Sequence, residues 1–160
     1  DIVQESRGGH YLIGGLGLGI VLHHLADADK VKSVTVVEQN ADIIDLVWPT
    51  TPKAWPFHII NADFFDYVEK TPDLPEPDVV ITDMWRGDRE SEQVKRAVIR
   101  THFVVNQRWP ESQQFYHGME RYACDQGIRR INTRRAPADG SKHRRYASQM
   151  MTRAAAQGIS

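Results

Sequence analysis

A short apolar run leads directly into a cluster of glycines near the start of this chain of 160 residues. Residues 11–13 (Tyr-Leu-Ile) precede glycines at positions 14, 15, 17 and 19, and an apolar segment follows at 20–25. This order is typical of a buried strand, a tight glycine turn and the N-terminus of a helix. Glycine lets a ligand lie against bare main chain, and a helix N-terminus offers free N–H groups. The segment therefore predicts a binding site for a nucleotide-type cofactor.

The spacing of these glycines bears on which cofactor the loop could hold. Dinucleotide-binding loops have the pattern G-x-G-x-x-G or G-x-G-x-x-A. Counted from Gly15 and Gly17, the last position of that pattern falls on Ile20. The pattern present is G-x-G-x-G, at Gly15, Gly17 and Gly19. A glycine-rich turn that binds no ligand is the alternative explanation.

Length and composition exclude several classes of protein. The length predicts one domain, and the single cysteine, Cys124, excludes a disulfide framework within the chain and a cysteine metal cluster. The spacing of the histidines indicates no metal site. There is neither an apolar run of the roughly 18 residues needed to span a membrane nor a signal peptide, so we expect a cytoplasmic protein without membrane contact. Because the chain begins at Asp1 rather than Met, a fragment of a longer protein stays open.

The formal net charge of −1 hides an asymmetry between the two parts of the chain. Residues 1–128 hold 12 Lys and Arg against 20 Asp and Glu, whereas residues 129–160 hold 8 against one. This predicts an acidic folded domain over 1–128 and a basic C-terminal tail over 129–160. Arginine clusters in the tail could bind nucleic acid, but the segment has too few aromatic side chains for stacking. A solvated tail, or one docked on the acidic domain, is favoured, and the oligomeric state stays open.

Strands alternate with helices over the first half of the chain. Runs rich in β-branched and apolar residues predict strands at 11–13, 33–37, 57–60 and 79–82, and apolar spacing predicts helices from 20, over 41–47 and over 64–69. Further on, helices are predicted over 89–109 and from 110 or 111 to 127, without a fifth strand. The sequence therefore predicts an α/β fold: a Rossmann-like parallel sheet with helices on both faces and a C-terminal half that is shortened or helical.

Four functional candidates stand where predicted strands end, at Gly15, Glu38, Asp63 and Asp83. In a parallel sheet, these ends share one rim, where ligands bind. A carboxylate at Glu38 could accept both hydroxyls of a ribose, or it could be a solvated acid that ends a strand. Asp63 could accept from an adenine amino group, or it could cap the helix over 64–69.

Asp83 would face the reactive part of a bound cofactor. A carboxylate there could orient or deprotonate a nucleophilic amine or hydroxyl. The alternative is a loop acid that pairs with Arg86 or Arg89.

Four segments together carry a resemblance to a known family. They are Tyr-Leu-Ile-Gly-Gly-Leu-Gly-Leu-Gly (11–19), Ser-Val-Thr-Val-Val-Glu-Gln-Asn (33–40), Ile-Ile-Asn-Ala-Asp (59–63) and Asp-Val-Val-Ile-Thr-Asp (78–83). In order and spacing they resemble the class I S-adenosylmethionine-dependent methyltransferases, and within these the spermidine-synthase-like branch. The resemblance implies that the glycines at 15, 17 and 19 border the methionine part of S-adenosylmethionine. It also implies that Glu38 binds the ribose, Asp63 lies by the adenine, and Asp83, the catalytic candidate, lies near the sulfonium.

The residues after Asp83 depart from the branch that they resemble. Polyamine synthases have an Asp-Pro-type loop at this point, and this chain has Met-Trp-Arg-Gly-Asp at 84–88. We therefore expect an S-adenosylmethionine-binding transferase that methylates a small-molecule acceptor of unidentified structure. A spermidine-synthase-like aminopropyltransferase that uses decarboxylated cofactor is one alternative, and a catalytically silent cofactor-binding module is another.

Overall fold

A five-stranded, all-parallel sheet forms the centre of the structure, a computed structural model that describes residues 2–128. The strand order is β3-β2-β1-β4-β5, so β1, which leads into the glycine loop, lies in the middle. The predicted basic tail at 129–160 lies outside the described residues. The strands are β1 (Gly9–Gly14), β2 (Val31–Glu38), β3 (Phe57–Asn61), β4 (Val79–Thr82) and β5 (Gln113–Tyr116).

Helices cover both faces of this sheet, as the sequence predicts. Alternate β1 side chains point to opposite faces: Tyr11 and Ile13 pack with α1, α2 and α3, and Leu12 packs with α4 and α5. No helix within residues 2–128 is both long and apolar enough to cross a membrane. The helices are α1 (Ile2–Glu5), α2 (Ile20–Ala26), α3 (Ala41–Val47), α4 (Phe64–Lys70), α5 (Glu92–Arg108) and α6 (Glu120–Asp125), with a 3-10 turn at Trp48–Thr50.

The strand register aligns the carboxyl ends of the central strands. Gly14 at the end of β1 pairs with Val37 on β2 and with Thr82 on β4, and Thr82 in turn pairs with Tyr116 on β5. The residue that follows each of these positions therefore emerges on the same rim. The predicted α/β, Rossmann-like architecture is confirmed by this topology.

The fifth strand corrects the helix that the sequence predicts from 110 or 111 to 127. Residues 113–116 form β5 and pair with β4, and only 120–125 are helical. The prediction is wrong because Phe115 and Met119 are spaced as on a helix, while the strand is short and begins with two glutamines. Gln113 and Gln114 are nonetheless buried, since polar partners satisfy their side chains.

A closed ring of four polar side chains joins α5 to β5. The hydroxyl of Tyr116 donates to Gln114 Oε1, Gln114 Nε2 donates to Asn106 Oδ1, and Asn106 Nδ2 donates to Nε2 of His102, each over 2.7–2.8 Å. Nδ1 of His102 closes the ring by donating to the Tyr116 hydroxyl at 2.8 Å. Only a neutral imidazole fits this pattern, because its Nε2 must accept. Burial lowers the pKa of His102 to about 4, which keeps its imidazole neutral.

Candidate functional site

A cavity of about 430 Å³ opens at the rim where the strands end. Of the six residues predicted for the site, five line this cavity: Gly15, Gly17, Glu38, Asp63 and Asp83. Its volume lies within the range of small-molecule sites. The structure therefore brings together residues that are up to 68 positions apart in the chain.

Gly19 is the predicted site residue that stands apart from the walls of this cavity. It precedes α2 with φ of +75°, a left-handed conformation that suits glycine. A Cβ atom at this position would lie 2.9 Å from Cγ2 of Thr51, so Gly19 also allows the start of α2 to approach the 3-10 turn. Its observed role is to shape the chain between the glycine loop and α2.

Gly15 makes the closest backbone approach in the glycine loop. Its φ is +91°, and a Cβ atom there would lie 2.6 Å from the carbonyl oxygen of Asp83. Its N–H donates to the carbonyl of Val37, which ties the loop to the end of β2. Gly17 differs, because a Cβ atom at this position would meet open space although its φ is +53°.

Glu38 connects the two loops that border the cavity. Its Oε2 accepts from the N–H of Leu16 at 2.9 Å, and its Oε1 accepts from the N–H of Asn40 at 2.8 Å. The residue is only 9% exposed, so it is not the solvated acid of the alternative interpretation. A carboxylate has about four lone-pair sites, so each oxygen can still accept a ligand hydroxyl.

Asp63 performs the structural role that the sequence offers as an alternative. Its Oδ1 accepts from the N–H of Asp66 at 3.0 Å and caps α4. The same residue also lines the cavity, so helix capping and contact with a ligand are compatible here. Asn61 supports this corner, since its Nδ2 donates to the carbonyls of Glu38 and Gln39.

Asp83 pairs with a residue that the sequence analysis did not consider. Its Oδ2 lies 3.0 Å from Nδ1 of His117, the first residue after β5, whereas the sequence suggests Arg86 or Arg89 as partners. The Asp83 side chain is 31% exposed, which leaves part of it open to the cavity.

An apolar wall completes the cavity, and the sequence analysis assigned none of its residues to the site. Each of Phe65, Met84 and Trp85 follows a strand-end acid by one or two residues, and this position is the signal that could have identified them. The guanidinium of Arg100 lies over the ring of Phe65, 4.0 Å from its centroid, in a cation–π contact. Ile43 and Ala62 extend the wall.

The charged groups around this cavity are mostly acidic. Among the described residues that line it, Glu38, Asp63 and Asp83 are acids and Arg86 is the single base. Such a lining favours a ligand with a cationic centre and disfavours a polyphosphate. Within residues 2–128 no cluster of three or more histidine, cysteine or acidic side chains is arranged to hold a metal ion.

Comparisons with known proteins give a distant structural similarity. No protein-family model matches this chain, and no curated protein matches it. The chain is similar to a solved structure from Thermoplasma acidophilum, provisionally described as a methyltransferase, at 18% identity and a TM-score of 0.45. The match covers 69% of this chain and 44% of that chain, so this chain spans less than half the length of that neighbour.

Proposed function

We propose that this chain is a class I methyltransferase-like domain that binds S-adenosylmethionine in the rim cavity and methylates a small acceptor. The observation that carries the proposal is the convergence of the glycine loop, Glu38, Asp63 and Asp83 on one cavity at the strand ends. In this assignment Glu38 accepts the ribose hydroxyls, and Asp63 and the apolar wall hold the adenine. The methionine part lies along the glycine loop, and the sulfonium lies near Asp83.

The charge of the cavity supports this cofactor over a dinucleotide. The pyrophosphate of NAD would bring two negative charges to a lining with three acids and one base. A sulfonium brings one positive charge instead. The G-x-G-x-G spacing agrees, because it lacks the last small residue of the dinucleotide pattern.

The proposed reaction asks little covalent chemistry of the protein. The acceptor lone pair forms a bond to the methyl carbon as the sulfur–carbon bond breaks, and the bonding electron pair stays on sulfur, which becomes a neutral thioether. A proton leaves the acceptor, and the Asp83 carboxylate can accept it. Positioning and electrostatics supply the rest of the rate acceleration.

Aminopropyl transfer is the second candidate, and the acidic lining favours it too. Decarboxylated S-adenosylmethionine lacks a carboxylate and carries an additional net positive charge, and a polyamine acceptor is cationic as well. Mass spectrometry of products from each cofactor with an amine panel separates the two reactions. Cofactor binding without turnover on the whole panel would support the catalytically silent module.

We expect S-adenosylmethionine or S-adenosylhomocysteine to bind this protein at micromolar strength, while NAD does not bind. Calorimetry with the three ligands under one buffer condition makes the comparison. The Asp45→Ala variant removes an exposed acid on α3 away from the cavity, so it should bind the three ligands as the wild type does. It is the matched control for the Glu38 variant described next. A preference for NAD would overturn the cofactor assignment.

Glu38→Ala should weaken binding of S-adenosylhomocysteine by about 1.5–3 kcal/mol, or roughly 10- to 150-fold, because hydrogen bonds to a charged group are lost. The protein should stay folded with a looser glycine loop, since the Leu16 and Asn40 N–H groups lose their acceptor. Circular dichroism at the calorimetry temperature checks the fold.

A ligand lacking both ribose hydroxyls separates direct contact from loop loosening. The 2′,3′-dideoxy analogue should bind the wild type more weakly than S-adenosylhomocysteine does, whereas the Glu38→Ala variant should bind the two alike. If the analogue loses as much affinity for the variant as for the wild type, Glu38 does not contact the ribose.

A further inference from the structure

His117 contacts the wall of the rim cavity at two points. Its Nδ1 lies 3.0 Å from Oδ2 of Asp83, and its carbonyl accepts from the indole Nε1 of Trp85 at 3.1 Å. Its own N–H donates to the carbonyl of Thr82 at 2.9 Å, which continues the β4–β5 pairing one residue past the strands. The segment 83–85, which lines the cavity, is therefore held at both ends by the residue that directly follows the neighbouring strand β5.

The contact between the His117 imidazole and the Asp83 carboxylate is favoured by the burial of Nδ1. Nδ1 of His117 is shielded from solvent, and no aligned hydrogen-bond partner for it is found among the described residues. A buried polar nitrogen without a partner costs free energy, and the Asp83 carboxylate, whose Oδ2 lies 3.0 Å away, reduces that cost by charge attraction. Because the contact is made through Oδ2, the other carboxylate oxygen of Asp83 can accept from a ligand.

We propose that His117 is a positioning residue that holds the Asp83 carboxylate toward the cofactor sulfur. This inference rests on the proposed function, because it assumes that S-adenosylmethionine occupies the cavity. The held carboxylate stabilises the positive sulfur of S-adenosylmethionine and gives no such stabilisation to the neutral sulfur of S-adenosylhomocysteine. His117 thereby helps the site to prefer the methyl donor over the spent product.

The test is the ratio of affinities for S-adenosylmethionine and S-adenosylhomocysteine, measured by calorimetry without any acceptor. In His117→Ala the ratio should fall roughly three- to tenfold, because the Asp83 carboxylate keeps its charge but is no longer positioned toward the sulfur. His117→Asn should restore most of the ratio, because its amide offers an N–H donor close to the position of Nδ1. His58→Ala, an exposed histidine on β3, is the matched control and should leave the ratio unchanged.

A double mutant shows whether His117 acts through Asp83. Asp83→Asn alone should lower the ratio, and adding His117→Ala to it should change nothing further. His117→Phe keeps the ring volume without its nitrogens and should behave as His117→Ala does, so the test survives if the alanine variant does not fold.

Two results would overturn the inference while leaving the proposed function in place. One is an unchanged ratio in the folded alanine and phenylalanine variants, and the other is an equal loss of affinity for both ligands. A wild-type protein that binds neither ligand would instead refute the proposed function and the inference with it.

Discussion

Gly15→Ala is expected to abolish cofactor binding and to lower the free energy of unfolding by about 3 kcal/mol or more. A side chain is strained at φ of +91°, and the new Cβ atom would lie 2.6 Å from the carbonyl oxygen of Asp83. Neither backbone segment can shift easily to relieve this contact. The N–H of Gly15 donates to the carbonyl of Val37, and the N–H of Asp83 donates to the carbonyl of Gly14 at 2.8 Å. Chemical denaturation and calorimetry measure the two effects.

Gly17→Ala is the matched control for this variant. It lies two residues away with φ of +53°, and a Cβ atom there meets open space, so only backbone strain of about 1–2 kcal/mol is expected. Equal destabilisation by the two substitutions would show that the contact between the loop and Asp83 does not control the stability of the glycine loop.

Acidification from pH 7 toward pH 4 should remove about 3 kcal/mol from the free energy of unfolding through His102 alone. Burial lowers the pKa of this imidazole from 6.5 to about 4 in the folded protein. Between these values the unfolded chain binds a proton that the folded protein does not bind, so acid favours unfolding. The contribution is complete above pH 6.5 and is lost as the pH falls, with about 2 kcal/mol gone by pH 5.

His102→Gln isolates this contribution from that of the carboxylates, which titrate in both proteins. The variant should be less stable at pH 7, since glutamine cannot reproduce the ring with Asn106 and Tyr116. Its deficit should shrink toward pH 5, because it has no imidazole to protonate. Denaturation curves at several pH values test this, and a constant deficit across the range would exclude a depressed pKa for His102.

Local patterns were enough to predict much of the fold. The β-branched run before Glu38 and the apolar run before Asp83 predict strands without knowledge of their neighbours, because β4 is buried throughout and β2 is buried over its last three residues. The rule that parallel strands end on one rim then places Glu38, Asp63 and Asp83 together, and all three line the cavity. The Asp63 cap was also foreseeable, since it depends on residues three positions apart.

The tertiary structure alone decided what depends on contacts between distant residues. Residues 113–116 have the apolar spacing of a helix, and they form a strand because β4 offers a free edge and α5 offers polar partners for Gln114. The contact between Asp83 and His117 joins residues 34 positions apart, and it exists only because β5 lies beside β4. Sequence periodicity records which face of an element is buried, whereas the identity of a polar partner is set by which elements become neighbours.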